Sequence, residues 1–261
     1  MHDFQNFVWV FRPDLIGDLK RKVDTLIEAG YAFAAKTHDG NPDDDGTYFW
    51  DNYHMMDSII GRRVPLYSWG YNYGDTYGNL TKEIEGAISS VRVSDGYIFD
   101  PEIEFEVKDS GAWVETMVQA VLGASGYKPV GYAPFWNRRW HGAYPYYHFD
   151  KFQVKAMPQV YYDLGKKVTT AARTEMFDIA RADFPGNFMP VAGTQDVEGL
   201  MHFYKKCKES SVGHSLWCLD TITDEQLEYI RLMTKVNSLD SAYGEYKKVF
   251  DAIQVLKSVL R

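Results

Sequence analysis

The sequence predicts an α/β fold of the (β/α)8, or TIM, barrel class, built as one domain over residues 1–261. Three observations predict it. Short apolar runs alternate with amphipathic helical stretches, as in a parallel sheet with helical crossovers, and the unit recurs eight times. The chain has 261 residues, close to the ~250 of a typical barrel. No low-complexity linker, second core or short-period repeat divides it. A doubly wound open sheet shows the same alternation, but no glycine-rich phosphate fingerprint follows the first strand.

The elements follow in order. Residues 7–11 form strand one. Asp14 is expected to cap a helix with Leu15, Leu19, Val23 and Ile27 on one stripe, closed by Gly30. Residues 31–37 form strand two, and a polar loop runs over 39–46. Residues 64–69 form strand three, with a helix over 80–91 behind it. Residues 96–102 form strand four, and Ser110 is expected to cap a helix carrying Trp113, Met117, Val118, Val121 and Leu122. Residues 128–135 form strand five, followed by a long aromatic loop over 136–149. Strands six, seven and eight are expected over 155–161, 187–192 and 213–219, with helices over 168–182 and 197–208 between them. Thr223 and Gln226 make a capping box for the eighth helix. Residues 237–261 are expected to add one helix to the outside.

Composition narrows the function. A hydrophobic share of 45% supports a full core. The net charge of −8 argues against nucleic acid and against an anionic membrane surface. Aromatics reach 16%, with 19 Tyr and 7 Trp, a surplus common in carbohydrate clefts and also in cores. Cys207 and Cys218 make no disulfide framework and are expected as buried thiols. No signal peptide is visible at the first residues, and no run of 18 apolar residues offers a membrane span. The expectation is a monomer, cytoplasmic until released or associated with a virion.

The working residues of a barrel sit at the C-terminal ends of its strands. That rule selects Arg12, Lys36, His38, Asp39, Trp69, Tyr71, Asp100, Glu102, Trp136, Gln159, Tyr161, Trp217 and Asp220. The fourth strand is the focus. Alternation puts Ile98, Asp100, Glu102 and Glu104 on one face and Tyr97 and Phe99 on the other. Like-charged carboxylates in a row on a buried strand are costly, and the cost is best tolerated where the strand opens into a working cleft. Pro101 fits if strand pairing is already ending there. No histidine pair has metal-ligand spacing, and no cofactor motif stands out. The loop from Asp39 to Gly46 alternates oxygen donors as calcium loops do. It lacks glycine at the sixth position and glutamate at the twelfth, where Trp50 stands, so an acidic surface loop is the expectation.

The run Asp95-Gly96-Tyr97-Ile98-Phe99-Asp100-Pro101-Glu102 resembles the chitinase-type family 18 signature, Asp-Gly-x-Asp-x-Asp-x-Glu, with Ile98 in place of the middle aspartate. Met157-Pro-Gln-Val-Tyr161-Tyr162-Asp163 is similar to that family's Met-x-Tyr-Asp segment, and Leu216-Trp217-Cys218-Leu219-Asp220 to its last strand. Asp100-x-Glu102 also resembles the Asp-x-Glu of family 25 lysozymes, although their strand-one aspartate is absent here, where the strand ends Phe11-Arg12. The segments 64–74 and 157–159 look like bacterial and phage glycosidase-like barrels. The resemblance implies a retaining glycosidase on an N-acetylated amino-sugar polymer, peptidoglycan or chitin-like. Glu102 would be the general acid, with Asp100 orienting the acetamido group that attacks the anomeric carbon. Tyr161 would hydrogen-bond that group, and Trp217 would floor the sugar. Gln159, Trp69, Tyr71, Lys36, His38, Asp39, Glu104, Trp136 and Asp220 would complete substrate binding. Loss of the middle aspartate leaves a second reading open, a barrel that binds glycans without cleaving them.

Overall fold

The structure is a computed structural model that describes residues 3–40, 49–162, 168–194 and 197–234. Nine short strands make one all-parallel sheet: β1 Phe7–Val10, β2 Ala32–Asp39, β3 Leu66–Asn72, β4 Tyr97–Pro101, β5 Val130–Tyr132, β6 Lys155–Ala156, β7 Gln159–Val160, β8 Val191–Gly193 and β9 Ser215–Trp217. Their order is β6-β5-β4-β3-β2-β1-β9-β8-β7. The helices are α1 Leu19–Glu28, α2 Trp50–Ile60, α3 Leu80–Val93, α4 Ser110–Ser125, α5 Tyr146–Asp150, α6 Thr170–Asp183 and α7 Val197–Ser210, and an eighth, α8, occupies 224–234.

The two end strands of that order are consecutive in sequence, and this closes the barrel. β6 pairs with β5, and β7 with β8. Isolated bridges link Phe135 to Gln159 and Ala156 to Phe188. The Met157 and Gln159 amides donate to Tyr132 and Pro134, while Pro158 and Ala156 accept from Val191 and Met189. Residues 155–160 are therefore one strand with a neighbour on each side. Its ladder is interrupted where Pro158 has no N–H to give. Counted this way the barrel has the eight strands the sequence predicts.

Alternation along the strands sorts the core into two layers. Phe7, Trp9, Ala32, Ala34, Tyr67, Trp69, Ile98, Met157, Met189 and Val191 fill the barrel interior. Val8, Val10, Phe33, Ala35, Tyr97 and Phe99 face the helices, where Val23, Met56, Val91, Val114 and Val118 meet them. Inside, large and small side chains interlock. The register sets Ala32 beside Phe7, and Ala34 between Trp9 and Tyr67, so the alanines of β2 make room for aromatic rings from both neighbours.

Several elements differ from expectation. Asp14 lies in a 3-10 turn, Pro13–Leu15, paired with Arg12, and α1 starts after Asp18. Ser110 is the first residue of α4, and Asp109 holds the cap position. The sequence reading has no helix between β2 and β3, yet α2 stands there, burying Tyr53, Met56 and Ile60 and ending at the left-handed Gly61. The Thr223–Gln226 capping box is present: the Thr223 amide donates to Gln226 Oε1 at 2.7 Å, and the Gln226 amide to Thr223 Oγ1 at 3.3 Å. Both cysteines are free and buried. Among the described residues no helix is long and apolar enough to cross a membrane. The acidic surface loop expected over 39–46 and the terminal helix expected over 237–261 lie largely or wholly outside the described residues.

Candidate active site

β4 ends on Pro101, in register with Asn72 of β3. The chain then turns into a 3-10 helix, Ile103–Phe105, and this turn carries Glu102 onto the rim of the barrel mouth. Asp100 sits one step deeper, 6% exposed. Its amide donates to Asn72 Oδ1 at 3.0 Å. Both carboxyls border a cavity of about 220 Å³ together with Trp9, Gln159, Tyr161 and Trp217, and Ala133 forms part of the wall where a larger side chain would fill the space.

Gln159 joins the two acids. Its Nε2 donates to Glu102 Oε1 at 2.9 Å, and lies 3.3 Å from both Asp100 Oδ1 and the Ala133 carbonyl. Burial pushes the Asp100 carboxyl well above the usual range. The Glu102 charge adds to that effect, and Lys36 opposes it. Burial also raises Glu102, against the Gln159 hydrogen bond, with Glu104 adding to the rise and His141 reducing it. A pair in this state holds a proton near neutrality more readily than two exposed carboxyls, which is the condition a general acid needs.

Two indoles, Trp9 and Trp217, line the cavity, and Trp69 packs against both. Trp9, Trp69 and Trp217 meet edge to face with centroids 5.4–5.7 Å apart. Trp69 is fully buried, its Nε1 donating to the Val10 carbonyl at 3.1 Å, and Trp9 Nε1 donates to Ser215 Oγ at 3.0 Å. With its polar edge held inside, Trp9 offers ring surface to the cavity, which Trp217 also lines.

The other expected site residues lie outside the cavity wall. Lys36 and Asp39 pair at 2.6 Å, both largely buried, with the ammonium 4.7–5.4 Å from the rings of Phe11, Phe49 and Trp69. Tyr71 donates to Glu104 Oε2 at 3.4 Å, so Glu104 belongs to the mouth. Asp220 accepts from the Phe11 and Arg12 amides at 3.0 and 2.5 Å and ties down the chain leaving β1. Trp136 packs on Trp140 in the loop after β5 and on the outer core layer, away from the cavity wall.

His38 is displaced from expectation. Strand parity from Lys36 would aim it inward, but the β2–β3 register shifts between Lys36 and His38. The bulge turns His38 to the helix side. There it stacks on Tyr97 and donates to or accepts from the Tyr97 hydroxyl at 3.1 Å, under Gly70 and Gly86. Burial pulls its pKa down to about 4, so it is neutral. A β-carbon on Gly70 would lie 2.1 Å from the imidazole.

Three residues, Trp9, Asn72 and Glu83, are not among the expected site residues. Trp9 follows Phe7 by two in β1 and was legible from that alternation. Asn72 and Glu83 meet only in space, and no pattern signals them. No cluster of three or more potential metal ligands occurs among the described residues.

No family model and no curated protein matches the sequence. Solved structures do. The spore cortex-lytic enzyme SleL of Bacillus cereus matches with a TM-score of 0.63 at 11% identity, over 88% of this chain and 75% of that one. A family GH18 chitinase from the fern Peteris ryukyuensis matches with 0.60 at 13%, over 85% and 96%. A class V chitinase from Pseudomonas fluorescens Pf-5 matches with 0.59 at 10%, over 87% and 98%. The chain thus has a (β/α)8 barrel fold similar to that of these chitinases and SleL cortex-lytic enzymes.

Proposed function

We propose that this protein is a retaining glycosidase that cleaves an N-acetylated amino-sugar polymer, peptidoglycan or chitin-like. The observation that carries the reading is the pair of neighbouring carboxyls, Asp100 and Glu102, joined through one amide at the wall of an indole-floored cavity. Glu102, at the rim, gives its proton to the glycosidic oxygen as the bond breaks. The 2-acetamido oxygen of the same sugar attacks the anomeric carbon, and the ionised Asp100 balances the positive charge on the resulting oxazolinium. Water then opens that ring, returning a proton to Glu102. Tyr161 donates to the acetamido carbonyl, and Trp217 and Trp9 stack on the sugar. The protein acts as a monomer, held in the cytoplasm until release or carried on a virion.

Ile98 favours a second reading. It is fully buried in the interior two residues below Asp100, where a carboxyl would share the charge of the pair. A barrel lacking that group binds glycans without turnover. Incubation with acetylated and deacetylated forms of chitin and peptidoglycan, with release of reducing ends measured, decides between them. Release from the acetylated forms alone supports the proposal. Equal rates on both forms refute the acetamido mechanism. Binding with no release from any polymer supports the second reading.

A further inference from the structure

Behind the barrel wall lies a carboxyl with no part in the chemistry above. Glu83 projects from α3 and is 2% exposed. Its Oε1 accepts from the Tyr73 amide at 2.7 Å, and its Oε2 from the Gly74 amide at 3.2 Å and from Asn72 Nδ2 at 3.5 Å. All three neighbours donate. The carboxyl also presses on the end of β2, where a β-carbon on Gly40 would lie 2.1 Å from Oε1. It therefore touches the exits of β2 and β3 and, through Asn72, reaches β4.

Asn72 is fully buried and has two different ends. An amide side chain can lie either way round, and its partners decide which. Glu83 in its ionised form only accepts, so it takes the NH2 end. That leaves Oδ1 for the Asp100 amide, which donates to it at 3.0 Å. If Asn72 turned over, NH2 would face the Asp100 N–H, donor against donor.

We infer that Glu83 is a positioning residue for the acid pair: by fixing the orientation of the Asn72 amide, it holds the Asp100 peptide, and with it both carboxyls, in register with the cavity. This rests on the glycosidase reading for its kinetic consequence, but not for the structural one. The groups facing Glu83 are Asn72, Tyr73 and Gly74 of β3 and its exit, Asp39 of β2 and Gly40 just beyond it, and Tyr97 of β4. Burial raises Glu83 to about 8, while the donated hydrogen bonds pull the other way and Asp39 adds to the rise. The lock is complete only in the ionised form, since a protonated carboxyl can itself donate to Asn72 Oδ1.

The test compares Glu83→Gln, Glu83→Ala and Asn72→Ala at pH 9, above the Glu83 value, with Glu85→Gln on the exposed face of α3 as control. Glutamine keeps an acceptor for the Tyr73 amide but offers NH2 toward Asn72, so it restores packing without the lock. Glu83→Gln is expected to regain most of the thermal stability lost in Glu83→Ala, yet to keep a kcat roughly tenfold or more below wild type with KM within about threefold, as slight misplacement of reacting groups produces. The double variant Glu83→Gln/Asn72→Ala should lose no more kcat than the worse single variant, because the two act in series. The Asp100 amide ¹⁵N–¹H resonance should move in Glu83→Gln and stay in Glu85→Gln. If kcat recovers along with stability in Glu83→Gln, or the Asp100 resonance does not move, the inference is overturned. If wild type cleaves no glycan, the function proposal fails, and the resonance alone still decides this one.

Discussion

Gln159 holds Glu102 through a 2.9 Å hydrogen bond donated to Oε1, from the same nitrogen that stands 3.3 Å from Asp100 Oδ1. A donor on a carboxylate favours its ionised form. Gln159 therefore keeps the Glu102 pKa lower than burial alone would set it. In Gln159→Leu, Glu102 should keep its proton to higher pH. The alkaline limb of the pH–rate profile should move up, while kcat falls because the two carboxyls lose their common anchor. An unmoved alkaline limb would show that the limb belongs to another group.

Glu102→Gln should abolish hydrolysis while glycan binding persists. Glutamine keeps the shape but has no proton to give at neutral pH, and general acid help contributes about 10²–10⁴-fold. Asp100→Asn should lose less, since an amide still orients the acetamido group. A thiazoline analogue of N-acetylglucosamine should compete with substrate. Calorimetric binding alongside reducing-end assays on both variants checks the pair of outcomes.

The barrel, the inward row Ile98-Asp100-Glu102 and the indole at Trp217 were legible because strand parity and apolar runs are local signals. What escaped was set by interruptions of parity or by contacts distant in sequence. His38 faces the helices because one extra residue in β2 reverses the count after Lys36. The sixth strand reads as one run, yet Pro158 breaks its ladder into β6 and β7. α2 hides because polar Asp51, Asn52 and His54 interrupt its apolar stripe, although Asn52 is buried and donates to the Phe11 carbonyl at 2.8 Å. Glu83 reads as one of many helix carboxylates. Only the fold shows that backbone amides from the β3 exit converge on it.

The pH dependence of stability should carry the mark of Glu83. Its folded pKa, about 8, lies above the value of an unfolded glutamate. Between those two values the folded state binds more protons than the unfolded state, so stability falls as pH rises and levels off above the folded value. One such group contributes a slope of at most about 1.4 kcal/mol per pH unit. Asp100 and Glu102, also raised, add to the same trend. Urea unfolding from pH 5 to 9 should show a shallower fall in Glu83→Gln than in wild type. Parallel curves would mean that Glu83 does not titrate in that window.

Lys36 should matter twice. Its charge opposes the rise of the Asp100 carboxyl that burial and Glu102 produce. In Lys36→Met, Asp100 should therefore hold its proton to higher pH. If Asp100 must be ionised to balance the oxazolinium, the acid limb of the pH–rate profile moves up with it. The same substitution takes the cation from a pair in which the side chains are 5% and 12% exposed. Removing one partner of a buried pair costs about 3–5 kcal/mol, much of it from the charge left behind. Adding Asp39→Asn removes that charge, so Lys36→Met/Asp39→Asn should be more stable than Lys36→Met alone, by urea unfolding at constant pH. The two effects separate in the double variant. Stability should recover, while the acid limb should stay well above wild type, because Asp100 still lacks the Lys36 ammonium and regains only the small relief of losing the Asp39 charge. An acid limb that returns fully to its wild-type position with stability would assign it to folding rather than to Asp100.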